Sequence, residues 1–243
     1  MEKRLSISPD LAARFRKTLG LALLPQDCFL CGAAAGNGLL CTDCGAGLPR
    51  LPVPCCPVCA LPTPAGETCG ACLKQAPHFD ATRACFSYHF PVDCLVQALK
   101  YQHRLVVAGF LAQAMLEIQT PSKFPPADLL LALPLSEQRL RQRGFNQARE
   151  IARPLAARLG LPLLLDGYRR AMDTAPQASL PWKERHRNIR GAFECALDLT
   201  GKAVIVVDDV MTSGATLDEF ARTLKKHGAT SVSNWVAARA LKH

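Results

Sequence analysis

The chain has 243 residues, 49% of them hydrophobic and 20% charged, with a formal net charge of +9. That balance supports a packed core and excludes wholesale disorder, and no apolar run approaches the length needed to cross a bilayer. Positive charge favours anionic partners, either phosphates or nucleic acid, although a solvated basic face would give the same balance.

Near the N-terminus, Lys3 and Arg4 are not followed by a continuous apolar stretch, and Leu19–Leu24 is cut short by Pro25. No signal peptide is expected, and a cytoplasmic location is. Leu11, Phe15 and Leu19, interleaved with Arg14, Arg16 and Lys17, suggest a short amphipathic helix within a segment spanning residues 1–27.

Residues 28–75 read as a cysteine module. Adding 28 to Cys28, Cys31, Cys41 and Cys44 gives Cys56, Cys59, Cys69 and Cys72, so the unit C-x2-C-x9-C-x2-C occurs twice. Cytoplasmic thiols stay reduced, which argues against a disulfide framework for the 12 cysteines. Two thiolates three residues apart on a tight turn occupy two corners of a Zn²⁺ tetrahedron, and a second pair supplies the rest. One or two structural zinc ions are expected, ligated by these eight residues either sequentially or in a cross-braced arrangement. The repeat selects Cys56 over Cys55, and leaves Cys85, Cys94 and Cys195 as ordinary buried thiols. A segment so rich in Pro and Gly has little apolar surface to bury, and metal binding would provide the missing folding free energy.

Residues 80–243 alternate helical and strand patterns, implying α/β architecture with a parallel sheet. Val107, Leu111, Ala114 and Ile118 mark one helix face, and Leu129–Leu133 reads as a buried strand ending at Pro134. A helix is expected from Gln147, with Ile151, Leu155 and Leu159 on one face, a kink or break at Pro154 and a stop at Gly160. Val204–Val207 reads as a second buried strand, Leu217, Phe220, Ala221 and Leu224 as a helical stripe closed by Gly228, and Val232–Val236 as the next strand.

The segment from Val204 to Thr216 carries the sharpest chemistry. Asp208 and Asp209 follow the hydrophobic strand, and then comes the small, hydroxyl-bearing run Met211-Thr212-Ser213-Gly214-Ala215-Thr216. Ligands of open α/β sheets bind beyond the carboxyl ends of the strands. A Gly-containing loop entering a helix offers backbone N–H groups and the helix dipole to a phosphate, while paired carboxylates accept hydrogen bonds from vicinal hydroxyls. Thr216 and Glu219 match a capping box for the helix that follows. A plain strand–turn–helix would leave two acids unexplained at a buried strand end.

This run resembles the phosphoribosyl-pyrophosphate signature of type I phosphoribosyltransferases. The chain from about residue 28 onward further resembles the ComF family, also described as GntX-like and competence-associated. The supporting segments are Ala98-Leu99-Lys100-Tyr101, Leu133-Pro134-Leu135, Arg143-Gly144-Phe145-Asn146-Gln147 and Gly191-Ala192-Phe193, together with Gln177, Arg185 and Asn188. The resemblance implies a type I phosphoribosyltransferase fold, a parallel sheet flanked by helices, preceded by the zinc-ribbon module.

It also implies roles. Thr212–Thr216 would bind the ribose 5-phosphate, with Met211 counted among the residues binding phosphoribosyl pyrophosphate, and Asp208 and Asp209 the 2- and 3-hydroxyls. Pro134 and Leu135 would form the pyrophosphate loop, with Mg²⁺ arriving on the pyrophosphate. Residues 169–190, including Gln177, Arg185 and Asn188 and the basic Arg169, Arg170, Lys183, Arg187 and Arg190, would be a mobile loop closing over the ligand. Arg139, Arg141 and Arg143 suit either pyrophosphate, with Arg143 counted among the ligand-binding residues, or a nucleic-acid backbone. Three functions remain compatible: pentosyl transfer from phosphoribosyl pyrophosphate to an acceptor, sensing of that metabolite without turnover, and handling of single-stranded DNA alongside protein partners in the competence machinery. Sparse aromatics, 6% of the chain, disfavour a base-stacking platform.

Overall fold

The computed structural model describes residues 26–118, 126–172 and 189–241; the helix expected within residues 10–24 lies outside them. The chain divides into two compact units, Met1–Leu48 and Pro49–His243. The smaller holds the first cysteine repeat, and the larger holds the second repeat and all that follows.

The repeats fold alike at the same 28-residue offset. In the first, Cys28 N–H donates to Ala33 O at 2.6 Å and Gly32 N–H to Cys28 O at 2.9 Å; in the second, Cys56 N–H donates to Leu61 O at 2.7 Å and Ala60 N–H to Cys56 O at 2.9 Å. Single-turn helices α1 (Thr42–Ala46) and α2 (Gly70–Lys74) follow Cys41 and Cys69. The knuckle turn needs a left-handed residue, which is Gly32 (φ 74°) in one copy and Ala60 (φ 56°) in the other. For Ala60 that conformation costs about 1–2 kcal/mol, so the knuckle geometry overrides local preference.

In the larger unit, β1 (Ala81–Ser87) leads into α3 (Val92–Tyr101) and α4 (Val106–Leu116), and β2 (Leu129–Ala132) into α5 (Glu137–Arg143) and α6 (Gln147–Leu159). Then come β3 (Leu163–Leu164), β4 (Tyr168–Arg170), β5 (Phe193–Cys195), β6 (Ala203–Met211), α7 (Ala215–Lys226) and β7 (Ser231–Arg239). The main sheet has the order β1-β7-β6-β2-β3, and every pairing in it is parallel. Buried strands read as continuous apolar runs in such a sheet, and β2 is buried at all four residues. α4 packs on α6, which also covers β2 and β6. Residues 49–51 shield the free edge of β1: Leu51 N–H donates to Cys85 O and Ser87 N–H to Pro49 O, both at 2.9 Å.

Several expectations are corrected. α6 runs through Pro154 without interruption. β6 does not stop at Val207 but carries both aspartates, because β7 pairs beside it as far as Met211. No capping box forms: Gly214 caps α7 at φ 85°, Thr216 lies inside the helix, and the Glu219 carboxylate turns to Gly191 N–H (2.7 Å) and Arg222 Nε (2.8 Å). Arg169 and Arg170 are not loop residues but form β4, antiparallel to β5. Cys94 and Cys195 are half-buried, whereas Cys85 is buried.

Candidate functional site

From β2 the chain proceeds to β3 on one side, and from β6 to β7 on the other. Adjacent strands whose connections diverge leave a crevice beyond their carboxyl ends. Here it has a volume of about 640 Å³ and collects Asp208 and Asp209 from β6, Thr212 and Thr216 from the following turn and α7, and Pro134 and Leu135 from the turn after β2.

Local hydrogen bonds fix this edge. Leu133 N–H donates to Val207 O at 2.9 Å, continuing the β2–β6 ladder into the turn. Asn146 caps α6, its Oδ1 accepting from Ala148 N–H (2.9 Å), while its Nδ2 donates to Leu133 O (3.0 Å). One side chain thus anchors both the turn and the helix start. The Tyr168 hydroxyl accepts from Ala132 N–H at 3.2 Å and donates to Leu164 O at 3.1 Å, holding the end of β2.

The two acids have different surroundings. Asp209, 3% exposed, pairs with Lys100 at the end of α3, with Nζ 2.8 Å from Oδ2. Burial pulls the Lys100 ammonium down, but Asp209 and then Asp208 outweigh it and hold it above its ordinary value. Asp208 is pushed up to about 8 by burial and then by the Asp209 charge, against the pull of Lys100. The Asp208 carboxyl therefore holds its proton to higher pH than an ordinary carboxylate, beside an acid paired with Lys100.

Other expected residues divide. Arg139 and Arg143 line the crevice, and the Arg143 guanidinium lies 5.2 Å from the Tyr101 ring centroid. Arg141 turns away to Glu137 (3.3 Å). Met211, Ser213 and Gly214 border a separate cavity of about 160 Å³, and Ala215 another beside Asp218, so of the run Met211–Thr216 only Thr212 and Thr216 line the crevice. Gln177, Arg185 and Asn188 fall outside the described residues.

Sequence reasoning assigned no role to Lys100 or Gln147, both of which line the crevice; Arg170, expected in the mobile loop, lines it from β4. Gln147 is buried and its Oε1 accepts no hydrogen bond among the described residues. Lys100 and Gln147 stood within the resembling segments, but only the fold brings them to the aspartates.

The cysteines form two groups, Cys28/Cys31/Cys41/Cys44 and Cys56/Cys59/Cys69/Cys72, each with its four sulfurs within 4.8 Å of one another. The sequential arrangement holds, and the cross-braced one does not. Sulfurs 2.3 Å from a tetrahedral zinc are about 3.8 Å apart, against 3.7 Å for Cys31–Cys41 and 3.6 Å for Cys59–Cys69. Burial opposes ionisation of Cys28, but the backbone amides of Cys41, Cys31 and Leu30 overcome it and bring the thiol down to about 6. Cys69 falls to about 7, with burial again outweighed, here by the Cys72 amide and neighbouring thiols. Four sulfurs at these spacings fit structural zinc. Among the described residues, no helix is long and apolar enough to cross a membrane.

Comparison with known proteins agrees with both halves. The double zinc ribbon domain matches residues 20–73, and the phosphoribosyl transferase domain matches residues 143–241. The fold and clusters thus define a zinc-ribbon protein carrying a phosphoribosyltransferase-type domain. The DNA utilization protein YhgH of Salmonella typhi is 33% identical over 227 residues, covering 90% of this chain and 99% of that protein. Competence protein F of Haemophilus influenzae is 31% identical over 181 residues, covering 72% and 79%. Competence protein ComFC of Bacillus subtilis is 26% identical over 215 residues, covering 82% and 84%. The chain belongs to the ComF family.

Proposed function

We propose that the crevice binds 5-phosphoribosyl-1-pyrophosphate and that the chain, working in the cytoplasm, transfers the phosphoribosyl group to an acceptor. The observation that carries this reading is the sharing of one switch-point crevice by paired acids, threonine hydroxyls and arginines. Met211–Thr216 and the start of α7 take the 5-phosphate through backbone N–H groups and hydroxyls. Asp208 and Asp209 take the ribose hydroxyls, and the ion pair with Lys100 holds the Asp209 carboxylate in place. The turn at Pro134 and Leu135, with Arg143 and Arg139, takes the pyrophosphate. Magnesium carried on that group would neutralise charge on the departing pyrophosphate. Gln177, Arg185 and Asn188, expected from the resemblance to close over the ligand, lie outside the described residues.

In the reaction the bond from the anomeric carbon to pyrophosphate breaks, its electron pair leaving with the pyrophosphate. The acceptor's lone pair forms the new bond, and its proton passes to solvent. No protein nucleophile is required; positioning and electrostatics supply the rate. The test supplies ribosyl-labelled phosphoribosyl pyrophosphate and magnesium with a panel of nucleobases, nucleosides and single-stranded oligonucleotides. Labelled product with stoichiometric pyrophosphate supports transfer, and saturable binding without pyrophosphate release replaces transfer with sensing.

A second reading, handling of single-stranded DNA with competence partners, is favoured by the net charge of +9 and by relatives named for DNA utilization and competence. Polyphosphate and DNA backbone share the same recognition chemistry, so the two readings are compatible.

A further inference from the structure

The second cysteine knuckle touches the other side of the phosphate run. Arg239, the last residue of β7, is 2% exposed. Its Nε donates to Cys59 O at 2.9 Å, while Nη1 donates to Met211 O (3.0 Å), Ala240 O (2.9 Å) and Thr212 O. A guanidinium is always charged, and burying it is costly unless its donors are satisfied. These acceptors are main-chain carbonyls, so the arginine reads the position of the backbone in the knuckle and in the run at once.

Two further contacts join the same parts. His78, just beyond the knuckle, donates its N–H to Asp218 Oδ1 at 2.5 Å in the first turn of α7. A methyl group placed at Gly214 would lie 2.6 Å from Met211 Cε and 3.7 Å from Phe79, so Phe79 and Met211 close on the underside of the loop. Cys59 and Cys72 border the same small cavity as Ser213 and Gly214. With few large apolar residues of its own, the knuckle depends on a shared metal to keep its shape.

We propose that Arg239 is a positioning residue tying the second four-cysteine cluster to the phosphate run, so that metal in Cys56/Cys59/Cys69/Cys72 raises the affinity of the run for a phosphate monoester. The proposal rests on the reading of Met211–Thr216 as the phosphate loop. Pyrophosphate, bound at the turn after β2, is not coupled in this way.

The experiment measures ribose 5-phosphate and magnesium pyrophosphate by calorimetry on the full chain, loaded with zinc, stripped by chelation, and reloaded. Stripping weakens ribose 5-phosphate by about tenfold or more while pyrophosphate stays within about twofold, and reloading restores the ribose 5-phosphate affinity. Cys72→Ser, which removes a ligand from the second cluster alone, gives the stripped result. Arg239→Met gives the same loss with zinc retained, Arg239→Lys a smaller one, and stripping Arg239→Met adds nothing further. Equal ribose 5-phosphate affinity with and without metal, parallel loss of pyrophosphate affinity, or losses that multiply between Arg239→Met and stripping would each overturn the link. If Arg239→Met does not fold, the stripped and Cys72→Ser proteins decide. Failure of the loaded wild type to bind ribose 5-phosphate would instead defeat the reading of the loop itself.

Discussion

Asp208 and Asp209 are neighbours in sequence but not in electrostatics. Asp208, with an ordinary value of 3.8, is pushed up to about 8 in the folded protein, so the fold binds its proton more tightly than the unfolded chain does. Its contribution to stability is therefore complete below pH 3.8, declines as the pH rises to about 8, and is constant above. Asp208→Asn removes that penalty. At pH 8.5 it should raise Tm by roughly 2–4 °C, the shift that about 1 kcal/mol produces, with little change at pH 4. A calorimetric scan at the two values checks it. Lys100→Met should act oppositely: it leaves Asp209 buried and unpaired, costing about 3–5 kcal/mol in denaturant unfolding. The acids were legible from their place after a hydrophobic run. Their lysine was not, because a helix end far away in sequence meets them only through tertiary packing.

At the scale of elements, the turn between β6 and α7 depends on Gly214. Its φ of 85° strains any L side chain, and a Cβ there would have to displace the Met211 methyl. Gly214→Ala should cost about 1–2 kcal/mol from backbone strain alone. It should also weaken ribose 5-phosphate more than pyrophosphate, which calorimetry with the two ligands resolves. The apolar runs behind β2, β6 and β7 and the stripes on α4, α6 and α7 were readable because fully buried strands and amphipathic helices carry distinct periods. The failures have local causes. Pro154 was read as a kink or a break from its missing N–H, and the break does not occur: α6, packed against the sheet, continues through it. Thr216 and Glu219 have capping-box spacing, but Gly214 in the left-handed conformation starts the helix earlier and frees Glu219 for Gly191 and Arg222. β4 and β5 are three residues each and pair across the undescribed segment, too short and too distant to show alternation.

For the whole molecule, the zinc module was the most legible part, since its ligands recur at a fixed offset and the hydrogen bonds repeat with them. Metal analysis of the purified chain should find zinc at both clusters, and thiol titration should show eight cysteines protected until a chelator is added. The switch point was not legible: it is a property of the strand order β1-β7-β6-β2-β3, which no local pattern encodes. That order makes one crevice from segments otherwise recognised separately, and it turns Arg139 and Arg143 inward while Arg141 stays on Glu137. The most direct measurement is calorimetric titration of phosphoribosyl pyrophosphate with magnesium into the wild type and into Asp208→Asn/Asp209→Asn. Hydrogen bonds to the ribose hydroxyls, worth about 1.5–3 kcal/mol where the carboxylate is ionised, predict a loss of roughly tenfold or more with the thermal transition retained. Equal affinity in the two proteins would contradict the account.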